Sequence, residues 1–192
     1  MNLSPDQQRI LLDLARASIV QALMVKPPPP LPADPQLQQL AGCFVSLHRT
    51  HGHRLRGCVG RLDAKAPLAQ TVSAMARSVL EDPRFLGDPI TLGELADLDI
   101  ELSILSPLTK LAKPEDFDPT AAGIYLTHGD RNGCFLPQVA RETGWNREQL
   151  LDRLCTEKLG VPAGTWRRPE ATLYQFTAQL IGPRPFAARH SY

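Results

Sequence analysis

The stretch Leu98-Asp99-Ile100-Glu101-Leu102-Ser103-Ile104 alternates apolar and polar residues without a break. Side chains of a strand repeat every two residues, so Leu98, Ile100, Leu102 and Ile104 share one face and Asp99, Glu101 and Ser103 the other. A strand with one continuous apolar face has to lie in a sheet that buries that face, which commits the chain to a sheet covered by further elements. It also makes Glu101 a candidate site carboxylate, because it stands on the polar face.

Helical patterns supply the cover. Ser4-Pro5-Asp6-Gln7 combines an N-cap serine, a proline at the first helical position and a capping-box glutamine, and Ile10, Leu11, Leu14, Ala15 and Ala22 follow at helical spacing. This predicts an amphipathic helix ending near Val25. Residues 26–35 contain four consecutive prolines and cannot continue it. They predict a stiff polyproline-like connector within the domain, a simpler account than a ligand for a proline-reading partner. A second helix is expected from Pro67, striped by Leu68, Val72, Met75, Ala76 and Val79 and stopped at Asp82-Pro83. Thr91 and Glu94 read as a capping box that opens a short helix before the alternating strand.

Two hairpins complete the pattern. Cys43-Phe44-Val45-Ser46-Leu47 reads as a strand, Thr50-His51-Gly52-His53 as its turn, and Leu55-Arg56-Gly57-Cys58-Val59-Gly60 as the return. Farther on, Ile124-Tyr125-Leu126 and Cys134-Phe135-Leu136 flank the turn Gly129-Asp130-Arg131-Asn132-Gly133. Pro137 opens a short helix closed by Gly144, and Asn146 caps another, lined by Leu150, Leu151 and Leu154 and ended by Gly160. Residues 172–181 read as a last strand and 183–192 as a frayed tail. Helices mixed with hairpins predict an α+β fold with antiparallel or mixed sheets flanked by helices, as one domain of two lobes over residues 1–182.

The return strand of the first hairpin holds the chemistry. In Leu55-Arg56-Gly57-Cys58-Val59-Gly60 a cysteine stands between glycines, with an arginine two positions earlier and on the same strand face. A guanidinium beside a thiol favours the thiolate, and small flanking residues let a ligand approach backbone N–H groups that can hold an anion. The plainer account is that Cys58 is a small buried hydrophobe and the glycines serve close packing. His51-Gly52-His53 with Cys58 lacks a fourth ligand and sits in a turn, so no metal is assigned.

These residues, together with Asp82-Pro83-Arg84-Phe85, the strand ending in Ser106-Pro107, Phe135-Leu136-Pro137-Gln138-Val139-Ala140, Gly144-Trp145 and Trp166, resemble the AMMECR1 domain family, component A of the AmmeMemoRadiSam system. The resemblance runs from about the first helix to the last strand. It implies the family fold and an association with a Memo-like protein and a radical-SAM enzyme. It marks Cys58, Arg56 and Glu101 as candidate catalytic residues and Gly57, Gly60, Arg84 and Gln138 as candidate binding residues. Their convergence in space is the expectation to be tested.

Composition removes other classes. The 192 residues carry a formal charge of +1, with no basic run interleaved with aromatics, so nucleic acid is not expected as a partner. Asp6 and Asp13 interrupt the N-terminal segment, and no stretch reads as a signal or a membrane span, which predicts a cytoplasmic protein. Four scattered cysteines without CxxC spacing read as free thiols. No GxGxxG, Walker-type or GxSxG pattern is present, so no cofactor is expected. Two functions remain. One is a thiol-dependent enzyme acting through Cys58 on a small anionic substrate. The other is a non-catalytic interaction module that uses the Leu55 to Gly60 surface.

Overall fold

The computed structural model describes residues 2–186. It divides into two units, Met1–Leu105 with Gln179–Tyr192, and Ser106–Ala178. Among the described residues the fold is α+β, with helices and two four-stranded sheets.

In the first unit, helix α1 (Pro5–Leu23) starts where the capping box places it. The Ser4 side chain accepts from the Gln7 N–H, and the Gln7 side chain accepts in return from the Ser4 N–H at 3.0 Å. Strands β1 (Cys43–Arg49) and β2 (Leu55–Arg61) form the expected hairpin, its turn carrying Gly52 and His53 at φ 81 and 47. Helix α2 (Leu68–Ser78) uses Pro67 as its N-cap rather than as its first residue. It gives way to a 3-10 turn before Asp82, whose side chain caps a further 3-10 turn, Pro83–Phe85. The Thr91 and Glu94 capping box does not form. Leu92–Asp97 is a 3-10 helix without a side-chain cap, and the Glu94 carboxylate pairs with Arg49 and Arg56 instead.

Strand β3 (Leu98–Leu105) is the alternating segment, and it lies antiparallel to β1. Leu98, Ile100, Leu102 and Ile104 are buried with Val45, Leu47, Leu68, Val72, Leu11 and Ile19, the face that α1 and α2 cover. Each such side chain contributes about 1.5–3 kcal/mol by leaving water. Where the two helices meet, the buried hydroxyls of Ser18 and Ser73 bond each other at 2.9 Å, so neither is left unsatisfied. The opposite face of β3 is less open than alternation implies: Asp99 and Ser103 are buried and Glu101 is half-buried.

The second unit holds β4 (Thr109–Lys110), β5 (Gly123–His128), β6 (Arg131–Phe135) and β7 (Ala171–Phe176) in the order β4-β7-β5-β6. The second hairpin is tighter than expected. Its turn is Gly129-Asp130 alone, with Gly129 at φ 58, and Arg131, Asn132 and Gly133 belong to β6. Helix α3 (Pro137–Thr143) ends at Gly144, and α4 (Arg147–Arg153) runs on as a π-helical segment to Leu159 before Gly160.

The last expected strand is two strands. β7 stops at Phe176, and β8 (Ala178–Pro185) joins the first unit's sheet, ordered β2-β1-β3-β8. The break falls at Thr177, whose N–H donates to Ser106 Oγ and whose carbonyl accepts from the Ser106 N–H at 2.9 Å. The expected tail from residue 183 is therefore strand through Pro185. Phe186 is buried, and its N–H donates to the Leu98 carbonyl at 2.7 Å. Of that tail, residues 187–192 lie outside the described residues.

Candidate functional site

β2 is an edge strand, and its register with β1 changes within the hexapeptide. Leu47 stands opposite Gly57 but His48 stands opposite Leu55, so Arg56 is the extra residue of a β-bulge. Alternation fails there. The Arg56 side chain is 3% exposed, with Nε 2.6 Å and Nη2 3.1 Å from the Glu94 carboxylate and Nη2 2.7 Å from the Asp88 carbonyl. This pairing with Glu94 holds the Arg56 guanidinium charged and raises its pKa. Arg56 anchors the 3-10 segments to the sheet, and its charge is spent on Glu94 rather than on Cys58.

The cation beside the cysteine is Arg84. Asp82 accepts the Cys58 N–H at 2.8 Å, and Arg84 Nη2 donates to the Cys58 carbonyl at 3.1 Å. Arg84 and Asp82 also pair with each other, Nε to Oδ1 at 3.0 Å and Nη2 to Oδ2 at 2.6 Å. Asp-Pro-Arg thus stands in for a neighbouring strand, meeting both outward backbone groups of an edge residue and closing that point of the edge to further pairing. The Arg84 side chain holds the Asp82 carboxyl down at about 2. Asp82, hydrogen-bonded to it, raises the Arg84 pKa, and Cys58 contributes in the same direction as a coulombic and hydrogen-bonding neighbour. The Phe85 ring lies 5.7 Å from both the Arg56 and the Arg84 guanidinium carbons.

Because the Cys58 N–H points outward, Cys58 and Ser46 form a non-hydrogen-bonded pair across β1 and β2, the kind whose side chains come closest. Ser46 Oγ donates to Cys58 Sγ at 3.2 Å. Glu101 is the next residue in the same cross-strand row, opposite Ser46 on β3. Its backbone is two strand spacings, roughly 10 Å, from that of Cys58. Cys58 is half-buried and Ser46 is 8% exposed, so the sulfur lies partly shielded.

The glycines do other work than expected. A Cβ on Gly57 would meet Val79 Cγ2 at 3.0 Å, and one on Gly60 would lie 2.3 Å from the Phe44 ring and 2.5 Å from the Cys43 carbonyl. Both admit close packing, and the N–H of Cys58 between them is taken by Asp82. Cys58, Arg84 and Glu101 stand in the first unit, with Arg56 turned away within it. Gln138 stands in α3 of the second unit.

Ser46 and Asp82 escaped the sequence reading. Ser46 has the cross-strand place fixed by hairpin register, and Asp82 read only as a helix stop, although Asp-Pro-Arg is a frequent cue for a side chain that bonds backbone two residues on. Among the described residues no group of three or more His, Cys, Asp or Glu side chains is arranged to hold a metal ion. None of their helices is long and apolar enough to cross a membrane. None of the four cysteines forms a disulfide.

The family model described as AMMECR1 matches residues 12–181. The chain belongs to the AMMECR1 family. An AMMECR1 relative in Methanothermobacter thermautotrophicus is 35% identical over 188 residues, covering 93% of this chain and 95% of the relative. One in Methanopyrus kandleri is 34% identical, covering 93% and 89%. The crystal structure of the uncharacterized protein PH0010 from Pyrococcus horikoshii superposes with a TM-score of 0.85 at 30% identity, covering 93% of this chain and 92% of that one.

Proposed function

We propose that this AMMECR1 protein is a thiol-dependent enzyme that acts on a small anionic substrate through Cys58. The reading rests on one arrangement: a half-buried sulfur that accepts from Ser46 Oγ at 3.2 Å, on a residue whose carbonyl is held by the Arg84 guanidinium. The hydroxyl donor reaches the sulfur itself, and the guanidinium is held on the same residue's backbone, where it can meet an anion brought up to Cys58. Arg84, with a side chain 55% exposed, takes the substrate-orienting role as the candidate binding residue. Attack of Cys58 on an acyl carbon forms the C–S bond and expels the leaving group, and we assign Glu101, at the end of the same row, to receive the thiol proton. Association with a Memo-like protein and a radical-SAM enzyme, implied by the family resemblance, belongs to the same proposal.

The test is iodoacetamide alkylation of the native chain, followed by peptide mass spectrometry. Cys58 is expected to react faster than Cys43 and Cys155. Both of these are fully buried, and desolvation pushes the Cys43 thiol up to about 12 and the Cys155 thiol upward. Arg84→Ala is expected to slow Cys58. A Cys58 that reacts no faster than the buried pair overturns the enzyme reading. It would leave the interaction module, which an exposed Leu55 on an edge strand favours and for which Cys58→Ser is silent in partner binding.

A further inference from the structure

The unit Ser106–Ala178 contains a cavity of about 240 Å³ beside β4, between residues 110–114 and 166–173. Lys110, Lys113, Arg167 and Arg168 line it, and no carboxylate does. Arg167 is compensated: its guanidinium lies 3.7 Å from the Trp166 ring centroid, with Nη2 2.9 Å from Glu148 Oε1. Lys110, Lys113 and Arg168 make no ion pair among the described residues, whereas eight of the fifteen described arginines do. Asp116, on the adjoining turn, is occupied by the Lys113 backbone N–H at 3.1 Å.

Three uncompensated cations facing one concavity repel one another and focus a positive potential inside it. The volume falls below that of pockets for drug-sized ligands, which points to a compact anion rather than a large cofactor. A phosphoryl group fits this combination, because it carries close to two charges and several acceptor oxygens for Lys and Arg donors, with Thr172 also lining the wall. We infer that this cavity binds a small phosphoryl-bearing ligand through Lys110, Lys113 and Arg168. The inference does not rest on the Cys58 reading.

Titration of the full-length chain with pyrophosphate, inorganic phosphate, glycerol phosphate and acetate, followed by calorimetry and amide chemical shifts, tests it. Pyrophosphate is expected to bind saturably at millimolar concentration or below, with shifts centred on residues 110–114 and 166–173 and weaker binding as salt rises. Glycerol phosphate binding more tightly than inorganic phosphate identifies a phosphorylated metabolite, and the reverse identifies free phosphate. K110Q/R168Q, two exposed positions, should weaken binding at least tenfold with an unchanged circular dichroism spectrum. Absence of saturable binding, shifts centred elsewhere, equal binding by acetate, or full affinity in the double variant would each overturn the inference.

Discussion

Asp82→Asn probes the device that holds Cys58. The Asp82 carboxylate is 3% exposed and accepts four N–H groups: Cys58 N at 2.8 Å and Arg84 N, Nε and Nη2 at 3.1, 3.0 and 2.6 Å. Together they hold its pKa at about 2 instead of 3.8, chiefly through the Arg84 side chain. At roughly 1.4 kcal/mol per pH unit, that depression is worth at most 2 to 3 kcal/mol in order of magnitude near neutral pH. Solvent screens the half-exposed Arg84, leaving ~1 kcal/mol for the ion pair. Asparagine keeps one oxygen for the Cys58 N–H but loses the charge and the bidentate pairing, so the expected destabilisation is about 1–2 kcal/mol. Between 3.8 and about 2 the unfolded chain binds more protons at this residue than the folded one. Asp82 therefore contributes fully above its unfolded pKa, and the contribution is lost as pH falls toward the folded value. Urea unfolding of both proteins across that range should show a gap near neutrality that closes progressively below about pH 4. A gap absent at neutral pH, or one that stays constant on acidification, would refute the reasoning.

Two further substitutions separate anchoring from reactivity. Arg56→Ala strips Glu94 of its buried partner and should destabilise by about 3 kcal/mol, while leaving the Cys58 alkylation rate of the folded chain within about twofold of wild type. A large loss of Cys58 reactivity in that variant would restore Arg56 as the thiolate's partner. Gly60→Ala places a methyl 2.3 Å from the Phe44 ring and should cost about 1–3 kcal/mol in thermal or urea unfolding. Phe44→Leu in the same chain should recover only part of it, because the Cys43 carbonyl at 2.5 Å is backbone and cannot yield.

Local chemistry made most elements legible. Ser4 and Gln7 announced α1, Asn146 and Gly160 bracketed the fourth helix and its π-helical extension, and the alternation from Leu98 to Ile104 named the core face of β3. Misreadings fell where partners distant in the chain compete for a group. Glu94 forsook its helix for two arginines, and residues 171–185 split between sheets because a strand's composition does not say which sheet receives it. For the site, the sequence by itself determined that a cysteine lies on a strand among small residues, and which motifs surround it, since residue type and period two are local properties. Only the tertiary structure decided which cation that cysteine meets. A one-residue bulge turns Arg56 into the interior, and a helix stop 24 residues beyond Cys58 brings Asp82 and Arg84 onto the strand edge. Register and edge contacts arise from pairing between segments, and no window of sequence contains both partners.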